Sequence, residues 1–338
     1  MILVTGGTGL VGAHLLLQLT ESSTMPVRAL YRTDAGKAKT RNLFINYDKE
    51  ALFEKINWVQ GDITDIPSLE EAFAGVTYVY HCAALISYDP ADEELLRKVN
   101  IEGTANIVNL ALAYGCLKLC HVSTIAALGD LKEGETIITE ETEWNPEVKH
   151  SDYGISKHGA EMEVWRGLQE GLQTVMVNPA LIFGYGFWNQ GSGTIFKAIH
   201  EGHYFYTKGN CGVIAAEDVA TVMIQLMQSG ISGEKYTLLA DHMPIKELFG
   251  TIADGMGKRR PPVKASRLMT SVAWRIDWLI SKLLRRKRVI TRFVARVSHN
   301  KTYYSTEKIN STLQLNFKEP KAYIKELAAQ YAKAKNKV

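Results

Sequence analysis

Apolar positions along this chain fall into short unbroken runs that alternate with amphipathic stretches. MILVT (1–5), PVRALY (26–31), INWVQ (56–60), VTYVYHCAA (76–84), LKLCHVS (117–123) and LQTVMVNPA (172–180) read as strands. Between them, LVGAHLLLQLT (10–20) has a helical apolar face, and Pro67 opens a short helix that runs to Phe73. Residues 91–114 predict a long helix ending at Gly115, and 151–170 another, closed by Gly171. Strands separated by helices imply right-handed crossovers and a parallel sheet. Six in series predict an α/β, doubly wound sheet of the Rossmann type.

After Pro179 the rhythm loosens. Gly184, Gly186, Gly191 and Gly193 mark a long loop, 212–227 returns to strand then helix, KYTLLA (235–240) is a further strand, and the rest is mostly helical. The expected division is a dinucleotide-binding domain over 1–178, with 212–240 returning to it. A smaller, mostly helical substrate domain is expected from 179–211 and 241–338.

Composition changes this picture little. With 46% hydrophobic and 22% charged residues, 338 residues suffice for one large or two smaller cores. The net charge of +3 gives no reason to expect nucleic acid as a partner. Cys82, Cys116, Cys120 and Cys211 show no paired metal spacing, so no metal is expected and the thiols read as free. MILVTGG enters a strand and a turn without a basic leader, and no stretch of about 20 apolar residues exists. A cytoplasmic location is the expectation.

Chemistry enters at the first turn, VTGGTGLVGAH. Gly6, Gly9 and Gly12 are three apart, and Gly7-x-Gly9-x-x-Gly12 fits as well. A strand that turns sharply into a helix needs such glycines to let backbone approach a pyrophosphate, which then sits on the helix N-terminus. The second strand ends not in an acid but in Arg32, with Lys37 and Lys39 beyond it. A cation there suits a 2′-phosphate, so NADP is expected, with NAD remaining open.

Tyr-x-x-x-Lys occurs five times: Tyr114/Lys118, Tyr153/Lys157, Tyr204/Lys208, Tyr304/Lys308 and Tyr331/Lys335. Spacing alone selects none of them; position does. Only Tyr153/Lys157 opens the helix between strands five and six, near the carboxyl ends of the sheet. Tyr331 reads as part of a terminal tail.

TGGTGLVG (5–12), GDIT (61–64), HCAA (81–84), HVSTIAALG (121–129) and YGISK (153–157) follow one another in order, and together they resemble the extended short-chain dehydrogenase/reductase family. The resemblance covers residues 1 to about 240. It implies that Leu10, Val11 and the turn glycines hold pyrophosphate, that Asp62 and Ile63 flank the adenine, and that Ala83 and Ala84 let the cofactor lie on strand four. It also implies a catalytic set of Thr124, Tyr153 and Lys157, with Ser123 the neighbouring alternative to Thr124. Asn100 matches a family asparagine and reads equally as a buried structural amide. Pro179, Ala180 and Leu181 would close the nicotinamide end. In such a set the tyrosine moves a proton, and the lysine is expected to lower its pKa. A homodimer through helices 91–114 and 151–170 is implied too.

NPALIFG (178–184) departs from the Arg-containing pattern of sugar-nucleotide enzymes and is similar to the form seen in dihydroflavonol reductases and 3β-hydroxysteroid dehydrogenases. The expected activity is therefore an NADP-dependent oxidoreductase on a largely apolar ketone or alcohol, a small-molecule substrate. A nucleotide-sugar epimerase or dehydratase is the alternative, and a non-catalytic NADP-sensing protein the second.

Residues 258–296 hold thirteen Lys and Arg against one acid, Asp277. Within them, RLMTSVAWRIDWLISKLL (267–284) predicts a helix whose Leu268, Met269, Val272, Ile276, Leu279, Ile280 and Leu283 share one face. That face is expected to pack on the protein. Trp274 and Trp278, on the other side among cations, either touch a membrane surface weakly or cover the substrate pocket.

Overall fold

The computed structural model describes residues 1–288 and 290–336; residues 289, 337 and 338, inside the expected substrate segment, lie outside the described residues. Seven strands form one sheet: β1 (Ile2–Thr5), β2 (Val27–Tyr31), β3 (Asn57–Gln60), β4 (Tyr78–His81), β5 (Lys118–Val122), β6 (Gln173–Pro179) and β7 (Glu234–Leu238). Their spatial order is β7-β6-β5-β4-β1-β2-β3, and each neighbouring pair is parallel. Successive side chains on a strand point to opposite faces. Ile2 and Val4 therefore enter one core with Leu15, Leu16 and Val222, while Leu3 enters the other with Val79, Ile107 and Val164. Burial on both faces is why a central strand such as β1 reads as a continuous apolar run. The order reverses between β1 and β4, the place where this kind of sheet opens a ligand crevice.

Four helices matter for that crevice: α1 (Leu10–Ser22), α2 (Gly103–Ala113), α3 (Asp152–Gln169) and α4 (Ala216–Gln228). The helix predicted over 91–114 is not uniform. A π-helical turn at Arg97–Glu102 precedes α2 and carries Asn100, the wide turn that often marks a functional position. One helix, Asp34–Asn46, was not visible in the pattern. It is capped by Thr33, whose hydroxyl accepts from Gly36 N at 3.2 Å, and it buries only Thr40, Leu43 and Phe44.

Strand Asn210–Ala215 pairs with Leu181–Phe183 and Asp241–Pro244 in a separate three-stranded sheet. Against it, helices Ile245–Gly255 and Pro320–Asn336 bury Met243, Leu248, Ile252, Ile324 and Leu327. Tyr331, expected in a tail, is 1% exposed inside that core, because the terminal helix docks by its apolar side.

Helix Arg267–Leu284 overturns its expectation. Its buried residues are Asp277 and Ser281, and the broad apolar face points to solvent. Leu268 is 74% exposed, Leu279 60% and Leu283 79%. The polar side docks because it has partners: Asp277 accepts from Arg286 Nη2 at 2.6 Å and from Ile290 N at 3.0 Å, and Thr270 Oγ1 meets His299 Nε2 at 2.9 Å. Among the described residues no helix is long and apolar enough to cross a membrane.

Candidate active site

The crevice begins at the glycine turn. Gly6 sits at φ +69°, and a Cβ there would lie 2.5 Å from Ala83 N. A Cβ on Gly12 would lie 2.2 Å from Gly6 O. The turn thus folds flat against the end of β4 and the start of α1, which only glycine allows. Gly9 is the N-cap of α1 and offers no side-chain cap. The first-turn N–H groups of Leu10, Val11 and Gly12 have no intrahelical acceptor and lie where the helix dipole favours an anion. This cradle fits a pyrophosphate.

At the next two strand ends stand Arg32 and Asp62, with Nη1 3.7 Å from Oδ2. Burial raises the Asp62 carboxyl, but hydrogen bonds from Thr64, together with Arg32, leave it below its usual range. Arg32 is exposed. Lys37 turns inward over the Tyr31 and Trp58 rings, 5.2 and 5.8 Å from their centroids, while Lys39 is exposed on the same helix. Ile63 is a core residue against Gly103, and its carbonyl accepts from Asn106 Nδ2 at 3.0 Å. Ala83 and Ala84 follow β4 with partly open surfaces.

Beneath Ala83 runs a chain of hydrogen bonds that the motif reading did not contain. Thr104 Oγ1 donates to Asn100 O at 2.6 Å, so it must accept from His81 Nε2, 3.0 Å away. His81 then carries its proton on Nε2, and Nδ1 accepts from Thr5 Oγ1 at 2.7 Å. Thr5 Oγ1 in turn accepts from Ala83 N at 3.3 Å. Burial, with Lys157 nearby, pushes His81 down to about 3, so the ring stays neutral.

Tyr153 is placed by its helix start. Ser151 caps α3, its hydroxyl accepting from Gly154 N at 3.0 Å, and a Cβ on Gly154 would lie 2.8 Å from Ala126 O. That close approach brings Tyr153 beside Thr124, which caps the turn after β5. Burial raises the phenol well above its usual value, the Tyr88 ring adds to this, and a hydrogen bond with Thr124 opposes it. The expected lowering by Lys157 is not what this arrangement produces. The Lys157 ammonium is aimed down at β5, donating to Val122 O at 2.8 Å and to His121 Nε2 at 3.1 Å. Burial brings its pKa down to about 8, against an opposing pull from Glu161.

Asn100 is 1% exposed and fully engaged. Its amide donates to Leu85 O at 3.0 Å and Ser156 Oγ at 2.9 Å, and accepts from Leu85 N at 2.7 Å. Its observed place is that of the structural amide, tying the strand-four exit to α3. Ser123, the alternative to Thr124, is turned away: its hydroxyl donates to Glu161 Oε1 at 2.5 Å. Asn178 Nδ2 reaches the same oxygen at 2.6 Å. Glu161 is fully buried, with Lys235 3.8 Å from Oε2. It lies four residues after Lys157, as Lys157 lies four after Tyr153, so helix spacing alone could have pointed to it. Pro179 ends β6, Ala180 N donates to Leu238 O at 2.9 Å, and Leu181 starts the small sheet.

Over the phenol lies an aromatic cover. The Tyr88 ring meets Tyr153 edge-on at 5.8 Å and stacks on Phe293 at 6.0 Å and 8°. Residues 2–238 match the NAD dependent epimerase/dehydratase family. The chain belongs to that family. It is an enzyme of the extended short-chain dehydrogenase/reductase type, a class of NAD(P)-dependent oxidoreductases and epimerases.

Family relatives of known description differ in what they are named for. Sterol demethylase protein B of Methylococcus capsulatus is 29% identical over 312 residues, covering 91% of this chain and 88% of that protein. A putative dihydroflavonol 4-reductase of Synechocystis is 28% identical over 334 residues, covering 96% and 92%. Among solved structures, UDP-glucose 4-epimerase from Thermotoga maritima with UDP-glucose superposes with a TM-score of 0.77, at 19% identity and 99% coverage of each chain. At that identity the likeness is one of fold.

Proposed function

We propose that this family member is an NADP-dependent reductase, or alcohol dehydrogenase in reverse, acting on a largely apolar carbonyl substrate. A bound nicotinamide cofactor would supply or accept the hydride. Tyr153 Oη carries the proton to or from the substrate oxygen, and Thr124 Oγ1 holds that oxygen by a hydrogen bond. Lys157 steadies the end of β5 through Val122 and places a positive charge beneath the site. Gly6, Gly9 and Gly12 receive the pyrophosphate, Asp62 the adenine side, and Arg32 a 2′-phosphate. Ala83, Ala84, Pro179, Ala180 and Leu181 supply apolar walls.

The observation that carries the reading is the aromatic cover. Packed on Tyr153 are, among others, Thr124 and Tyr88, and behind Tyr88 lies the ring of Phe293, with Arg296 over that ring at 5.6 Å. A nucleotide sugar would call for cations and amides at that place. A relative named as a putative dihydroflavonol 4-reductase, whose match covers 96% of this chain, supports the same choice. The test is NADPH oxidation across a panel of ketones of rising hydrophobicity, run beside UDP- and dTDP-sugars. Consumption of cofactor with apolar ketones is expected. Net isomerisation of a sugar nucleotide without cofactor consumption would replace the reading with the epimerase alternative.

A further inference from the structure

The exposed face of helix Arg267–Leu284 gathers exposed apolar side chains into one continuous surface, whereas Ile66, Ile86, Leu117 and Ile137 are exposed elsewhere. At 100° per residue, Leu268, Met269, Val272, Ile276, Leu279, Ile280, Leu283 and Leu284 span one broad arc. Six of these are more than 45% exposed: Leu268, Val272, Ile276, Leu279, Leu283 and Leu284. Such a face in water is costly unless something covers it. One edge of the arc is cationic: Arg275 and Lys282 follow it, each lying over a tryptophan, with 4.6 Å between Arg275 Cζ and the Trp274 centroid and 5.6 Å between Lys282 Nζ and that of Trp278. Trp278 is 41% exposed beside them. The helix then ends at Arg285, which takes a left-handed conformation at φ +50° and starts the run Arg285–Arg288.

We infer that this face seats on the surface of an anionic lipid bilayer, apolar side in the acyl boundary and cations at headgroup level. Apolar width, flanking tryptophan and a one-sided rim of Arg and Lys are the physical requirements of an interfacial helix. Charge complementarity selects lipid over a second copy. Two copies face to face would bring their basic runs together, whereas an anionic surface attracts them. The acid within 258–296, Asp277, is on the opposite side and bonded to Arg286. Long basic side chains at the rim reach headgroups while their stems lie along the apolar surface.

The surface also leads to the site. After Arg285 the chain crosses to the loop beyond β4, where Lys287 Nζ pairs with Asp92 at 2.9 Å and Arg288 N donates to Asp89 at 3.2 Å. Five residues past Arg288 is Phe293, stacked on Tyr88. The same segment that would touch the bilayer forms the cover over Tyr153.

The experiment is flotation of the full chain with vesicles of phosphatidylcholine alone and with one third phosphatidylglycerol. At low salt, binding to the anionic vesicles is expected, falling steeply at 0.5 M salt. A variant carrying Leu268→Ser, Ile276→Ser, Leu279→Ser and Leu283→Ser should lose it; these side chains point outward, so folding is retained and circular dichroism checks it. Replacing Arg275, Lys282 and Arg285 by Gln should lower partitioning about five-fold per cation. Protein that stays with the soluble fraction at low salt overturns the inference. So does a dimer that the four serine substitutions dissolve while vesicles are not bound, since the face would then cover a second copy. Neither readout depends on catalysis.

Discussion

Arg32 and Asp62 close on each other across the ends of β2 and β3, 3.7 Å apart. The pair is open to solvent, so it contributes little to stability. It sets up a choice for the ribose: the carboxylate suits free hydroxyls, the guanidinium a phosphate. Arg32→Ala is expected to weaken NADPH by ten-fold or more, the loss of one charge-assisted bond of about 1.5–3 kcal/mol, and to leave NADH within about two-fold. Fluorescence titration with both cofactors measures this. Equal weakening of both would reduce Arg32 to a partner of Asp62.

Tyr153→Phe removes one oxygen from a packed aromatic cluster. Cofactor affinity and fold should persist, and turnover should drop by roughly 10²–10⁴. A mutant with near wild-type kcat would mean the proton comes from elsewhere.

Glu161 tests a different layer. Its carboxylate holds Ser123 and Asn178 at the ends of β5 and β6. Glu161→Ala leaves those groups without their acceptor and Lys235 without its counter-charge, and is expected to cost about 3 kcal/mol in urea unfolding. Glu161→Gln keeps the oxygen and should cost about 1 kcal/mol. Two variants of equal stability would contradict the charge's role.

Lys157 gives a pH signature. Its folded pKa, about 8, is below the ordinary 10.5. The folded state therefore disfavours the charged form, and that penalty is full below pH 8. It fades as pH rises from 8 to 10.5. Stability of the wild type relative to Lys157→Met should rise across that window by about 3 kcal/mol. A flat difference would show that the ammonium is not desolvated.

We propose a homodimer through the helices that carry Leu95 and Met162. Met162 on α3 is 44% exposed, and Leu95, just before the π-helical turn, 47%. Sedimentation should give twice the chain mass at micromolar concentration, and Met162→Glu should shift it toward one.

The main sheet was legible because its central strands are apolar on both faces, while the edge strand β3 buries only Val59; each predicted run contains its observed strand, with one exception at β7, which starts one residue early at Glu234. Helix Asp34–Asn46 was not, since three buried residues in thirteen leave no apolar stripe. Periodicity grouped the face of helix Arg267–Leu284 correctly, but grouping does not tell which side meets the core; Asp277 and Thr270 found partners and decided it. Tyr153 and Lys157 were singled out from position along the fold. The His81 chain and the Glu161 node were hidden, because Thr5, Thr104, Ser123 and Asn178 meet only through the sheet.

The proposed reacting residues come from separate elements, Thr124 from the turn after β5 and Tyr153 and Lys157 from α3, within the first 180 positions. The outward face, the left-handed turn at Arg285 and the ring on Tyr88 are instead consecutive, within Arg267–Val297. Evolution could exchange that single stretch as a cassette, retuning which molecules are admitted while the hydride chemistry is inherited intact.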